Sequence, residues 1–198
     1  MSSIIDMLQQ NLGPDTIAQM SQQLGASPGA TSNAIAAALP VILAGLHKNA
    51  SDPQGAVSLD HALAAHDGSV LDNIGSVLGT LGGSGMGAAI LAHILGSRQA
   101  PVEQGVARAS GLNVQQVGQL LMMLAPLVMG ALGRMKQQKG LGPEQLPDVL
   151  AQSNAQIAQS SPALSGLGGL LDSNHDGSIA DDVMRMGSTM LGSLFGKR

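Results

Sequence analysis

This chain of 198 residues has no cysteine, no tryptophan and no tyrosine, and Phe195 is its single aromatic side chain. Each absence excludes something. Without cysteine there is no disulfide and no thiolate metal site, and the cellular compartment is left open. Without rings there is no platform on which single-stranded nucleic acid could stack its bases. Charge is scarce as well: 11% of the residues are Asp, Glu, Lys or Arg, about half the usual share. The formal net charge of -4 and the isoelectric point near 5.6 provide no basic field for nucleic acid or an acidic membrane. The opening MSSIIDMLQQNLG has no basic residue and no long apolar core, so no secretory signal is expected. The longest apolar runs, Ala34 to Leu46 and Leu120 to Leu132, each contain a proline. Each also falls short of the ~20 residues that cross a bilayer. The expectation is a cytoplasmic protein with no membrane span.

What the chain does have is aliphatic surface. Hydrophobic residues make up 44% of it, far too much for a disordered polymer. A core without rings must be filled by Ala, Leu, Ile, Val and Met, which suits packed helices. The helix signals are local and readable. Ser3 can cap a helix bearing Ile4, Ile5 and Leu8 on one face. Pro14 opens a second, with Ile17, Met20 and Leu24 as its stripe and Gly25 as its stop. Ser27 and Pro28 read as the cap and first residue of a third, apolar almost all round and therefore expected to be central and buried. Pro40 removes a backbone donor inside it and is expected to kink or break it, as is Pro126 further on. Further helices are expected over 56–65, 70–81, 88–96, 101–110, 144–158 and 179–195. No run alternates or gathers β-branched residues as a strand would.

The chain also repeats itself. QLGASPGATSNAIAAALPVILAGLHK (23–48) lies over ASGLNVQQVGQLLMMLAPLVMGALGR (109–134) at a constant shift of 86 residues, which places Gly25 on Gly111, Pro40 on Pro126 and Lys48 on Arg134. HDGSVLDNI (66–74) matches HDGSIADDV (175–183). The fold class expected is all-α: a helical bundle built from two tandem, internally similar helical repeats. The first repeat is residues 1–83 and the second 88–198, with 84–87 as a Gly-rich linker inside the GGSGMG run and a larger insertion ahead of the second HDGS.

Chemistry is sparse. In LDSNHDGSIADD (171–182), Asp172, Asn174, Asp176 and Gly177 fall at positions 1, 3, 5 and 6 of a calcium-binding loop, Ile179 at position 8, and the carbonyl of Ser178 at position 7. Position 12 is Val183, so the bidentate carboxylate is missing, and Asp181 or Asp182 would have to replace it. Calcium is the cofactor this pattern suggests, held weakly. The plainer reading is a helix start, Ser178 capping with Asp181 three residues on. In the first copy, Ser69 and Asp72 keep that cap, while Leu63 and Ala65 stand where ligands would be. IAQMSQQLGASPGATSNAI (17–35) has helix-turn-helix form, but Thr31, Ser32 and Asn33 are its polar offering and no Arg or Lys precedes Lys48. Two packed helices with a tight turn explain it better than a DNA-binding regulator, which remains the alternative. Histidines 47, 61, 66, 93 and 175 show no metal spacing, and Ser84 completes neither a nucleophile elbow nor a P-loop. Met122, Met123, Met129, Met184, Met186 and Met190 read as core filler before binding groove.

With the LPVILAGL run, the Leu24-Gly25 turn and the HDGS motif followed by Asp in view, the chain resembles a bacterial family, number nine-three-seven among the domains of unknown function, with YidB-like relatives. The likeness spans nearly the whole chain and rests on Leu24, Gly25, Pro40, Gly45, Asp176, Gly177, Ser178, Asp181 and Asp182. It implies a helical fold and brings no activity, substrate or cofactor. The function expected is therefore that of a non-enzymatic helical module, binding a protein partner or a second copy of itself.

Overall fold

The computed structural model describes residues 4–75, 78 and 85–160. All of the regular structure among them is helical. Helix α1 (Ile4–Asn11) buries Ile4, Ile5, Met7 and Leu8. Helix α2 (Pro14–Leu24) begins with proline, where the missing N–H costs nothing. It stops at Gly25 in the left-handed region, φ 60°, with the Ala26 amide donating to the Ser21 carbonyl at 2.9 Å. Helix α3 (Pro28–Ala50) is capped by Ser27, whose Oγ accepts from the Ala30 amide at 3.2 Å. Asp52 caps α4 (Pro53–Ala64) in the same way, accepting from the Gly55 amide at 2.9 Å.

A single turn, α5 (Ser69–Asp72), follows. Helix α6 (Gly85–Leu95) runs through a 3-10 turn at Gly96–Arg98 into α7 (Gln99–Ser110). Helix α8 (Val114–Lys139) starts at a capping box in which Asn113 Oδ1 accepts from the Gln116 amide and Gln116 Oε1 from the Asn113 amide. Gly140 ends it, and a 3-10 turn at Pro143–Gln145 leads into α9 (Leu146–Ser160).

Helices α1 to α7 all pack against α8. Its residues from Leu120 to Gly133 are buried except Met122. Leu120, Leu121, Leu124, Leu127 and Leu132 are fully enclosed, each contributing roughly 1.5–3 kcal/mol relative to exposure. By length and composition α3 and α8 are each apolar enough to cross a membrane, at 23 and 26 residues. In this fold the apolar surface of α8 is consumed by helix packing.

Three expectations change. First, α3 is not enclosed all round. One row at i, i+4 spacing, Ala36, Pro40, Ala44 and Lys48, is exposed or half-exposed. Second, of the kink or break expected at Pro40 and Pro126, the break does not occur; both helices run on. Third, Gly85, Met86 and Gly87 of the expected linker form the first turn of α6. In the helix expected over 70–81, the turn Ser69–Asp72 is followed by Asn73 outside helical geometry, and Ile74, Gly75 and Leu78 are helical again.

Helix ends recur at the spacing seen in the sequence. Leu24 and Ser110 end α2 and α7, Gly25 and Gly111 follow in the left-handed region, and Pro28 and Val114 begin α3 and α8.

Candidate functional site

Two sites emerge. The larger is a cleft of ≈ 840 Å³ between the C-terminal half of α3, α4 and α6. Met129 of α8 lies in its floor with Leu46, Leu59, Ile90 and Ile94. Two tight approaches set its walls. Gly45 of α3 packs on α6, where a Cβ would lie 2.8 Å from Ile94 Cγ2, and Gly55 of α4 packs on the Asn49 carbonyl so closely that a Cβ there would overlap it. Asn49 donates its side-chain amide to the His93 carbonyl at 2.9 Å, satisfying a carbonyl near the end of α6. The rim is polar and carries both signs, with Lys48 and Asp52 on it. His66 and His93 complete the rim. His66 Nδ1 donates to the Ala62 carbonyl at 2.8 Å, so that nitrogen carries the proton. The cleft offers an aliphatic surface with an edge of hydrogen-bonding groups.

The second site is the first HDGS turn. Asp67 Oδ1 accepts from the Ser69 amide at 2.9 Å. That bond to the backbone of Ser69, then its side chain, holds the Asp67 carboxyl below its ordinary range. Gly68 takes φ 87° and packs on Arg134, where a Cβ would lie 2.8 Å from Arg134 Cβ. Arg134 Nη2 donates to the Gly68 carbonyl at 2.6 Å and to Asp72 Oδ2 at 2.7 Å. Gly133 lies so close to the His66 carbonyl that a Cβ would overlap it, and at Gly130 a Cβ would lie 2.5 Å from Val70 Cγ1. The motif is thus a plug seated on the C-terminal half of α8 and clamped by one guanidinium. The cap expected from Ser69 and Asp72 does not form: Ser69 is the first helical residue, Gly68 stands at the N-cap with no side-chain cap bond, and Asp72 is paired with Arg134; sequence reasoning missed the seat as well. The available signal was Gly130 and Gly133, two small residues in an apolar run just before Arg134.

Asp172, Asn174, Asp176, Ser178, Asp181 and Asp182, the residues of the expected calcium loop, lie outside the described residues, as do Ser84, His175, Met184, Met186 and Met190. Among the described residues no three His, Asp or Glu side chains gather as a metal site would require. His47 Nδ1 donates to the Pro147 carbonyl at 3.1 Å, tying α3 to the start of α9. In the helix-turn-helix segment Thr31 is fully buried and its hydroxyl donates to the Ser27 carbonyl at 3.0 Å. Thr31 is therefore not available to a base edge, and Ser32 and Asn33 are the exposed polar residues left. Met123 and Met129 are buried, as expected of core filler.

A family model described as a bacterial protein of unknown function (DUF937) matches residues 6–135 and 139–198. No curated protein and no solved structure matches the chain significantly.

Proposed function

The chain belongs to the bacterial DUF937 family, and from that premise we propose a non-enzymatic, cytoplasmic helical module that self-associates through the cleft between α3, α4 and α6. One observation carries the reading. Val57 on α4 is 47% exposed, an apolar knob on the helix that also walls the apolar hole with Ser58 and Leu59. A knob beside a hole on one surface is the self-complementary arrangement that a twofold interface needs, each copy placing its knob in the other's cleft. The Met129 thioether in the floor adapts to the side chain it receives. A rim of mixed sign selects neither an anion nor a cation, which favours an aliphatic partner surface over nucleic acid.

Light scattering tests this. The native chain should give twice its 19.9 kDa mass, and Val57→Asp with Ala89→Arg, both at exposed positions, should give a monomer with unchanged helical circular dichroism. A native chain that is monomeric at high concentration would end the reading.

Two finer proposals accompany it. The body is built from two tandem repeats, 1–83 and 88–198, supported by the coincident helix ends and glycine stops described above. A weak calcium site formed by Asp172, Asn174, Asp176 and the Ser178 carbonyl rests on loop spacing alone.

A further inference from the structure

The cleft and the HDGS turn meet at His66. Its backbone belongs to the turn: the His66 carbonyl lies against Gly133 of α8, and its amide donates to the Leu63 carbonyl at 3.1 Å. Its side chain lines the cleft. Nδ1 donates to the Ala62 carbonyl at 2.8 Å, which leaves the lone pair of the neutral ring on Nε2. Among the described residues Nε2 has no hydrogen-bond partner. Several other polar groups of the rim are already engaged within the fold. Ser58 Oγ donates to the Gln54 carbonyl, Asn49 Nδ2 donates to the His93 carbonyl, and Asp52 Oδ2 accepts from the Gly55 amide. An acceptor held on a rigid seat beside an aliphatic hollow suits a ligand with one hydroxyl donor and an aliphatic body. We infer that the cleft binds a neutral aliphatic alcohol, its chain along Leu46, Leu59, Ile90 and Met129 and its hydroxyl donating to His66 Nε2.

Three observations favour that ligand over others. The first is size. A cleft of ≈ 840 Å³ falls in the range that small molecules fill, roughly 300–1,000 Å³. One Val57 side chain from a second copy would leave most of it open. The second is the lining. It contains no Phe, Tyr or Trp, so a nucleobase or other flat ring finds no aromatic face to stack on. The third is charge. Lys48 and Asp52 both stand on the rim, and the chain as a whole carries -4. A carboxylate drawn to Lys48 meets Asp52 as well, and an ammonium drawn to Asp52 meets Lys48. An ester or an ether is neutral but brings no proton, and would leave Nε2 facing an apolar chain without a bond.

The HDGS turn thereby gains a task beyond packing. Its close seat on Gly130 and Gly133 sets where the His66 acceptor stands. The inference rests on the reading of the cleft as a receptor for aliphatic groups and does not need the dimer.

Calorimetry on the full chain tests it with n-nonanol. One alcohol should bind per chain, with a negative heat-capacity change from the apolar area removed from water. Methyl octyl ether, an isomer with no donor, should bind about three- to tenfold more weakly, the worth of one net hydrogen bond. Nonanoate and nonylammonium should also bind more weakly than the alcohol. His66→Leu should bring alcohol and ether to equal affinity. Ala89→Trp, at an exposed position on the cleft wall, should fill the cleft and abolish binding with helical circular dichroism unchanged. Val57→Asp, outside the lining, should bind n-nonanol as the native chain does. No binding, an ether equal to the alcohol, a tighter nonanoate or nonylammonium, or binding untouched by Ala89→Trp would each overturn the inference. The dimer is judged separately, by mass: a monomeric native chain that binds the alcohol ends the dimer and keeps the ligand.

Discussion

Gly87 of α6 lies over the carbonyl oxygen of Met122, so close that a Cβ would overlap it. That carbonyl is the one whose helical donor Pro126 has removed. The proline thus leaves α8 unbroken while denying the Met122 carbonyl its i+4 donor, and the glycine covers that carbonyl with backbone.

Gly87→Ala should therefore destabilise the fold by about 1–3 kcal/mol, the usual cost of overpacking, because a backbone carbonyl cannot step aside. Gly105 on α7 has open space around its Cα. Gly105→Ala should stabilise by about 0.4–1 kcal/mol through helix propensity and the unfolded chain's entropy. Urea unfolding of the two variants checks the opposite signs.

Loss of the clamp should be graded. Gly68→Ala meets both a left-handed backbone and the Arg134 side chain, and about 2–3 kcal/mol should be lost. Arg134→Met forfeits the bond to the Gly68 carbonyl and should cost about 1–2 kcal/mol. Asp72→Asn should cost below about 1 kcal/mol, since Asp72 is largely exposed. A larger loss for Asp72→Asn than for Arg134→Met would contradict the clamp.

Asp67 gives the turn a pH dependence. Its folded pKa is depressed below the ordinary 3.8, first by the Ser69 amide. A depressed carboxyl binds protons more readily when unfolded, so its contribution is present above pH 3.8 and is lost as pH falls through the folded value. Asp67→Asn should lower stability at neutral pH, converge with the native chain in acid, and so flatten the acid limb of the stability profile below that pH. A superimposable acid limb would refute this.

Lys136 of α8 lies 2.6 Å from Asp60 Oδ1 on α4 and donates to the Asp60 backbone carbonyl at 3.1 Å. Asp60 Oδ1 is buried, and its contact with the ammonium is ionic with no aligned hydrogen bond. Both side chains are about three-quarters enclosed or more, so Lys136→Met strands a carboxylate and should cost about 1–3 kcal/mol, less than for a fully buried pair. The double variant Lys136→Met with Asp60→Leu should recover most of it. A double variant no better than the single would show that packing, not charge, dominates.

Calcium offers a separate measurement. An ion held at Asp172, Asn174 and Asp176 at ten times its dissociation constant adds about 1.4 kcal/mol. That should raise Tm by roughly 3–6 °C in a domain of this size. Asp172→Ala should abolish the rise. Equal melting in calcium and chelator would end the calcium reading.

Local signals in the sequence mapped onto local structure. Ser27 and Pro28 start α3, and Gly25 stops α2 in the left-handed region, as their neighbours in sequence require. The cleft was not legible, because Leu46, Leu59, Ile90 and Met129 are brought together across four helices and no motif joins them. Arg134 was visible only as the partner of Lys48 in the alignment, with nothing to say that one of them would clamp a turn and the other stand exposed.

By itself, then, the sequence determined where helices begin and end and that their apolar faces must be hidden, since caps, prolines and glycines act within one turn. Tertiary structure decided which of two similar apolar helices becomes the centre. Among the described residues α8 is wrapped by seven other helices while α3 keeps one row exposed, because burial depends on what the rest of the chain lays against a helix, and that is not written in the helix.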